Sequence, residues 1–139
     1  LGIVGYGALG KGVARAAQAA LGMDVLVANR PGGDRIAGRL DLDELLPQVD
    51  VLSLHCPITP ATTGMIDARR LARMKPDALF VNTSRAELVV SGALEAALAA
   101  GRPGFAAVVA VWQSGDRRLV GVQLRYCGAP RLSALRRVG

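Results

Sequence analysis

Four short stretches of this chain hold residues able to do chemistry. Gly5-Tyr6-Gly7-Ala8-Leu9-Gly10 spaces three glycines as G-x-G-x-x-G between a short apolar run (Leu1, Ile3, Val4) and an Ala-rich helical pattern. Strand, glycine turn and helix start, in that order, are what a dinucleotide diphosphate requires. Gly5 permits the sharp turn, and Gly7 lets an anion approach bare backbone. Gly10 allows the helix to pack close to the sheet. The unpaired N–H groups of the first helical turn, with the helix dipole behind them, then face the anion. Asn29-Arg30 ends the next apolar run, where an acidic residue usually grips the adenosine ribose diol. An amide there can still bond the ribose, does not repel a 2′-phosphate, and leaves Arg30 to pair with one. His55-Cys56-Pro57 and Thr83-Ser84-Arg85 close two further apolar runs. They bring an imidazole, a thiol and a guanidinium toward the same edge.

The elements that must position these residues follow from the pattern of apolar runs. The chain reads as strands at 1–4, 24–28, 50–54, 78–81 and 105–111. Helices begin at the glycine turn, at Asp41 (ended by Pro47), at 67–74, and at 92–100 with Ser91 as cap. Alternation of short apolar strands with helices predicts an α/β fold, a Rossmann-type doubly wound parallel sheet in three α/β/α layers. Val120, Val122, Leu124 and Tyr126 alternate and suggest one more strand. The expected division is a dinucleotide-binding domain over 1–112 and a divergent basic segment over 113–139.

Bulk composition narrows the functional classes. A chain of 139 residues supports one domain, and 51% apolar content with 4% aromatics predicts a core of Ala, Val and Leu. No apolar run reaches the ~18 residues of a membrane span, and no signal-peptide pattern opens the chain. It starts on a strand without an initiator Met, so a piece of something longer is expected. Two cysteines, Cys56 and Cys127, make neither a disulfide framework nor a zinc pattern, which leaves a cytoplasmic setting and no metal as the expectation. The net charge of +6 does not indicate nucleic-acid binding. Ten basic and ten acidic residues cancel up to Gly101, and the excess lies in seven later arginines set against Asp116, without interleaved aromatics.

His55 is the only histidine, yet its place at a strand end favours packing or a cofactor edge over general-acid work. Cys56 reads as a small apolar wall residue. Arg85 follows a strand and an Asn-Thr-Ser turn, where a guanidinium can hold a carboxylate in a fork and polarise the neighbouring carbonyl.

Together these segments resemble the NAD-binding domain of the D-isomer-specific 2-hydroxyacid dehydrogenases, nearest the glycerate dehydrogenases and hydroxypyruvate/glyoxylate reductases. The resemblance rests on the glycine turn, on 51–60 with Thr63-Gly64-Met65-Ile66, and on Met74-Lys75-Pro76 together with 81–89. It implies hydride exchange between NAD or NADP and C2 of a short 2-oxo or 2-hydroxy acid, with a homodimer formed through this domain. It also implies Ala8 and Leu9 on the diphosphate, Asn29 and Arg30 at the adenosine ribose, and Cys56 and Pro57 along the cofactor. Thr83, Ser84 and Arg85 would border nicotinamide and substrate, with Arg85 as the catalytic residue. The chain departs from the family at Ala86 (usually glycine) and Val90 (often Asp or Asn). After Gly101, Val109 and Ser114 stand where the family has Asp and Glu, and no histidine follows His55. The charge break near Arg102 suggests a reading-frame shift or a divergent terminus, and little turnover is expected from this polypeptide alone. The competing readings are a non-catalytic nucleotide sensor or corepressor-like module, and a β-hydroxyacid dehydrogenase. The last would need a lysine on a later helix, and none follows Lys75.

Overall fold

The structure, a computed structural model, describes residues 1–114 and 117–126, with side chains described through residue 108. Cys127 and the rest of the segment to Gly139 lie outside the described residues, as do the side chains of Val109 and Ser114.

One six-stranded sheet organises the chain, in the order β2-β1-β3-β4-β5-β6. Its strands are β1 (Gly2–Val4), β2 (Leu26–Val27), β3 (Val51–Leu54), β4 (Leu79–Asn82), β5 (Phe105–Ser114) and β6 (Arg117–Tyr126). The first five are parallel. They form the parallel sheet that the alternation predicts, and the further strand suggested by Val120, Val122, Leu124 and Tyr126 joins its edge as β6, antiparallel to β5 over ten residue pairs. Two residues separate β5 from β6, and so short a link can join only antiparallel neighbours.

The helices α1 (Ala8–Leu21), α2 (Leu42–Leu45), α3 (Ala68–Leu71) and α4 (Ala93–Ala99) are the crossovers. Right-handed crossovers dictate where they go. The step from β1 to β2 moves one way along the sheet, and every later parallel step moves the other. Accordingly α1 packs alone on one face, where Ala14 and Ala17 meet Ile3 and Leu1. On the other face lie Leu42 and Leu45, Leu71, and Leu94 and Leu98, packed against Val4, Leu52, Leu54, Phe80 and Ala106. Neighbouring strand residues, such as Ile3 and Val4, therefore serve opposite layers, as a two-residue period requires. Leu52, Leu54 and Phe80 are wholly buried, and each contributes about 1.5–3 kcal/mol by leaving water.

Several boundaries differ from the sequence reading. Asp41 starts α2 with a capping box in which the Glu44 carboxylate accepts from the Asp41 amide. The α-helix ends at Leu45, ahead of Pro47, and a 3₁₀ turn follows over Leu46–Gln48 with the proline near its start. The helix expected over 67–74 is regular only over Ala68–Leu71, capped by Asp67. Gly92, not Ser91, sits at the N-cap of α4, with no side-chain bond.

Asp43 ties α2 to α3, accepting from Arg69 and Arg70, both at 3.1 Å. A second tie joins the segments after β3 and β4. The Ile66 amide donates to the Leu88 carbonyl at 3.0 Å, Val90 to Ile66 at 2.9 Å, and Gly64 to Glu87 at 2.8 Å.

Candidate functional site

Parallel strands end on one edge, so the segments after β1, β2, β3 and β4 converge there. Open sheets of this kind bind ligands at that edge, at the point where the strand order reverses. Here that point lies between β1 and β3.

The turn after β1 is built of backbone. Gly5 has φ +97, and a Cβ on it would lie 2.5 Å from the His55 carbonyl carbon. A Cβ on Gly10 would lie 2.0 Å from the Gly5 carbonyl oxygen, so the helix meets the turn at a distance no other residue permits. Gly7 is the opposite case, because a Cβ there would meet nothing within 4 Å. Gly7 is also the N-cap of α1, and no side chain caps the helix and no acidic residue occupies its first turn. Gly7, Ala8 and Leu9 are exposed. The result is a helix N-terminus with unclaimed donors facing an open cradle, which fits a diphosphate.

At the end of β2 the two polar residues take different parts. Asn29 donates to the Asp41 carboxylate at 3.0 Å and accepts from the Ile36 amide at 3.0 Å, so its side chain braces the loop running to Asp41. Asp41 is also paired with Arg35. Arg30 is exposed. It opens the turn Arg30-Pro31-Gly32-Gly33, closed by the Gly33 amide on the Arg30 carbonyl at 3.0 Å. Beside this corner, the Tyr6 ring has the Arg39 guanidinium at 5.5 Å and the Lys11 ammonium at 5.9 Å from its centroid. Nothing in the spacing of Tyr6, Lys11 and Arg39 announces this group, because it joins two loops through tertiary contact.

After β3, His55 shares a 2.9 Å hydrogen bond with the Ser53 hydroxyl through Nε2, while Nδ1 is buried without a partner among the described residues. Burial pulls the imidazole below its ordinary pKa, so it is neutral at pH 7. Cys56 is buried, and burial pushes its thiol up, away from the thiolate a nucleophile needs. Pro57 is exposed, and the Thr62 hydroxyl holds its carbonyl at 2.7 Å. Thr62 itself is only 3% exposed and also accepts from the Thr59 amide at 2.7 Å. This buried threonine, not singled out from sequence, shapes the loop that carries Pro57.

The turn after β4 is fixed by its own side chains. Asn82, 4% exposed, donates to the Arg85 carbonyl at 2.8 Å and accepts from the Ser84 amide at 3.1 Å. The Ser84 hydroxyl donates to the Leu54 carbonyl at 2.9 Å, joining this turn to the end of β3. Thr83 is exposed, and so is Arg85. No carboxylate pairs with Arg85 among the described residues, so a fully charged guanidinium stands on a braced turn. That arrangement can receive an anionic group in bidentate fashion.

Among the described residues no helix is long and apolar enough to cross a membrane, and no cluster of three His, Cys, Asp or Glu side chains is placed to hold a metal.

Comparison with known proteins assigns the family. The family model for the D-isomer specific 2-hydroxyacid dehydrogenase NAD binding domain matches residues 1–114. The chain is similar to a glycerate dehydrogenase of Methylorubrum extorquens, 48% identical over 106 residues, covering 76% of this chain and 32% of that protein. It is 36% identical to a hydroxypyruvate reductase of Blautia hydrogenotrophica, covering 88% of this chain and 40% of that one. Among solved structures, the NAD-complexed D-isomer specific 2-hydroxyacid dehydrogenase of Lactobacillus delbrueckii ssp. bulgaricus superposes with a TM-score of 0.69 at 33% identity, over 78% of this chain and 34% of that one. The chain thus spans about a third to two-fifths of the length of these relatives. With its uncapped glycine turn and braced arginine on one sheet edge, it belongs to the D-isomer specific 2-hydroxyacid dehydrogenases, matching their NAD-binding domain over residues 1–114.

Proposed function

We propose that this chain is the coenzyme-binding part of an oxidoreductase that moves a hydride between NAD(P)H and C2 of a short 2-oxo or 2-hydroxy acid of the glyoxylate or hydroxypyruvate type. The observation that carries the reading is the uncapped N-terminus of α1 on the same edge as Arg85. A bound nicotinamide coenzyme supplies the hydride. The chain's own residues bind and orient. The amides of Ala8, Leu9 and Gly10 receive the diphosphate, with Gly5 and Gly7 giving the turn its shape and openness. Asn29 and Arg30 meet the adenosine ribose, and Asn29 also braces the loop that follows. Cys56 and Pro57 line the coenzyme, and Thr83 and Ser84 border its nicotinamide end. Arg85 is the catalytic residue of this set: its fork grips the substrate carboxylate and draws charge from the adjacent carbonyl.

The absence of an acidic residue at position 29, together with Arg30, supports use of NADP or of both coenzymes. In this reading residues 1–112 form the coenzyme unit and 113–139 a divergent addition. A cytoplasmic setting and a homodimer belong to the same proposal, on the strength of the resemblance. The one histidine has its Nε2 engaged by the Ser53 hydroxyl, which supports weak or no turnover by this polypeptide alone. The same fact favours a second reading for it, a non-catalytic NAD(P)-binding sensor. Calorimetric titration of the purified chain with NADH and NADPH tests the coenzyme reading, and absence of heat from both overturns it. Reduction of glyoxylate or hydroxypyruvate separates enzyme from sensor.

A further inference from the structure

We propose that Lys11 and Arg39, seated on the Tyr6 ring, form a second cationic arm that selects a 2′-phosphorylated dinucleotide over its unphosphorylated counterpart. The inference rests on the coenzyme reading above and adds three residues to it.

Tyr6 is the middle residue of the glycine turn. It is half-buried and packs against the cluster of Leu1, Ile3, Ala14 and Ala17 under α1. A ring wedged in that way gives fixed seats to the two cations it carries, at 5.5 and 5.9 Å. Lys11 comes from the first turn of α1, where its amide bonds the Gly7 carbonyl at 2.9 Å. Arg39 comes from the far end of the β2 loop. It is brought back beside β2 because Leu40 donates to Val27 at 3.0 Å and accepts from the Asn29 amide at 2.7 Å. Arg39 thus ends next to the strand terminus that bears Asn29 and Arg30.

Charge decides what the group can hold. Of the three arginines between residues 30 and 39, Arg35 is neutralised by Asp41. Arg30, Arg39 and Lys11 have no carboxylate partner among the described residues. A ring face holds a cation in place without cancelling its charge. Lys11 and Arg39 share one ring beside the strand end that bears Arg30, and two cations so placed repel one another until an anion enters. The diphosphate already has neutral backbone donors at the glycine turn. A phosphate monoester carries roughly −1.5 to −2 charge and three acceptor oxygens, and it is the group that most relieves this repulsion.

The experiment compares two probes that differ only in the 2′-phosphate, NADPH and NADH, titrated into the full chain by calorimetry, with circular dichroism as a check on folding. The wild-type chain is expected to bind NADPH more tightly, and more steeply dependent on salt. Arg39→Ala should weaken NADPH about tenfold and NADH less than about twofold. Lys11→Ala should act in the same direction with smaller size. Tyr6→Leu should reproduce part of the Arg39→Ala loss, and Tyr6→Phe, which keeps the ring, should restore selectivity. Equal weakening of both probes by Arg39→Ala overturns the proposal, since the arm would then serve the diphosphate generally. Wild-type binding of NADH with no gain for NADPH overturns it too and leaves the coenzyme reading standing. Failure of the wild-type chain to bind either probe removes both.

Discussion

The turn after β1 and the turn after β4 stand on the same sheet edge and are built on opposite principles. The first is backbone cleared of side chains, with Gly10 against the Gly5 carbonyl, Gly7 facing open space and donors left unclaimed. The second is side chains gripping backbone, with Asn82 bridging Ser84 and Arg85, and Ser84 reaching over to Leu54. An anion that must touch many peptide N–H groups needs side chains removed. A single guanidinium that must hold one geometry needs its support locked. The difference between the two turns is therefore a difference in what each has to present.

Substitutions can break or sharpen that contrast. The largest effect belongs to Gly10→Ala, whose methyl would sit 2.0 Å from a carbonyl oxygen. It should cost about 3 kcal/mol or more and abolish coenzyme binding, measured by chemical denaturation and titration. Asn82→Ala should cost about 2 kcal/mol, because it removes two hydrogen bonds at a buried position. Arg85→Ala, three residues along the same turn, should move stability by less than about 0.5 kcal/mol. A large loss there would mean that the arginine itself holds the turn. Gly7→Ala sharpens the comparison from the other side. Its φ of −82 suits alanine and its Cβ would touch nothing, so the melting temperature should not move. Affinity for NADH should nevertheless fall about tenfold, as a methyl enters the space an anion would fill. Unchanged affinity would remove the diphosphate from this turn.

The smallest expected effect is a pH dependence. Burial holds the His55 imidazole below its ordinary pKa, so the unfolded chain takes up a proton near pH 6.5 before the folded one does. Its contribution is fully present above that value and is lost as pH falls through the window below it. The loss should vanish in His55→Gln, as read from melting curves between pH 7 and 5.

What the chain's sequence reveals follows from the range of the rule involved. The glycine turn is legible because strand, turn and helix start are consecutive and each glycine answers a backbone requirement. The alternation of strands and helices is legible because burial imposes its period on neighbouring residues. The direction of β6 is not carried by the alternation of Val120, Val122, Leu124 and Tyr126, which fits either sense; the short link from Ser114 to Arg117 decides it. The braces on the site are hidden for a related reason. Ser84 and Leu54 are thirty residues apart, and Tyr6 meets Arg39 only once the β2 loop folds back. Asn29 shows the same limit. Its place at a strand end announces neither the bond to Asp41 nor the one from the Ile36 amide, which exist only once the loop has folded.

The amide ladder from Gly64 and Ile66 to residues 87–90 has a mechanical consequence. The stretches that follow Pro57 and Arg85 are stitched like two planks under one batten, so neither can swing while the other stays. Any closing motion over this edge must carry both together and bend at positions outside the stitched residues. Deuterium uptake at Ile66 and Val90 should then rise and fall in step.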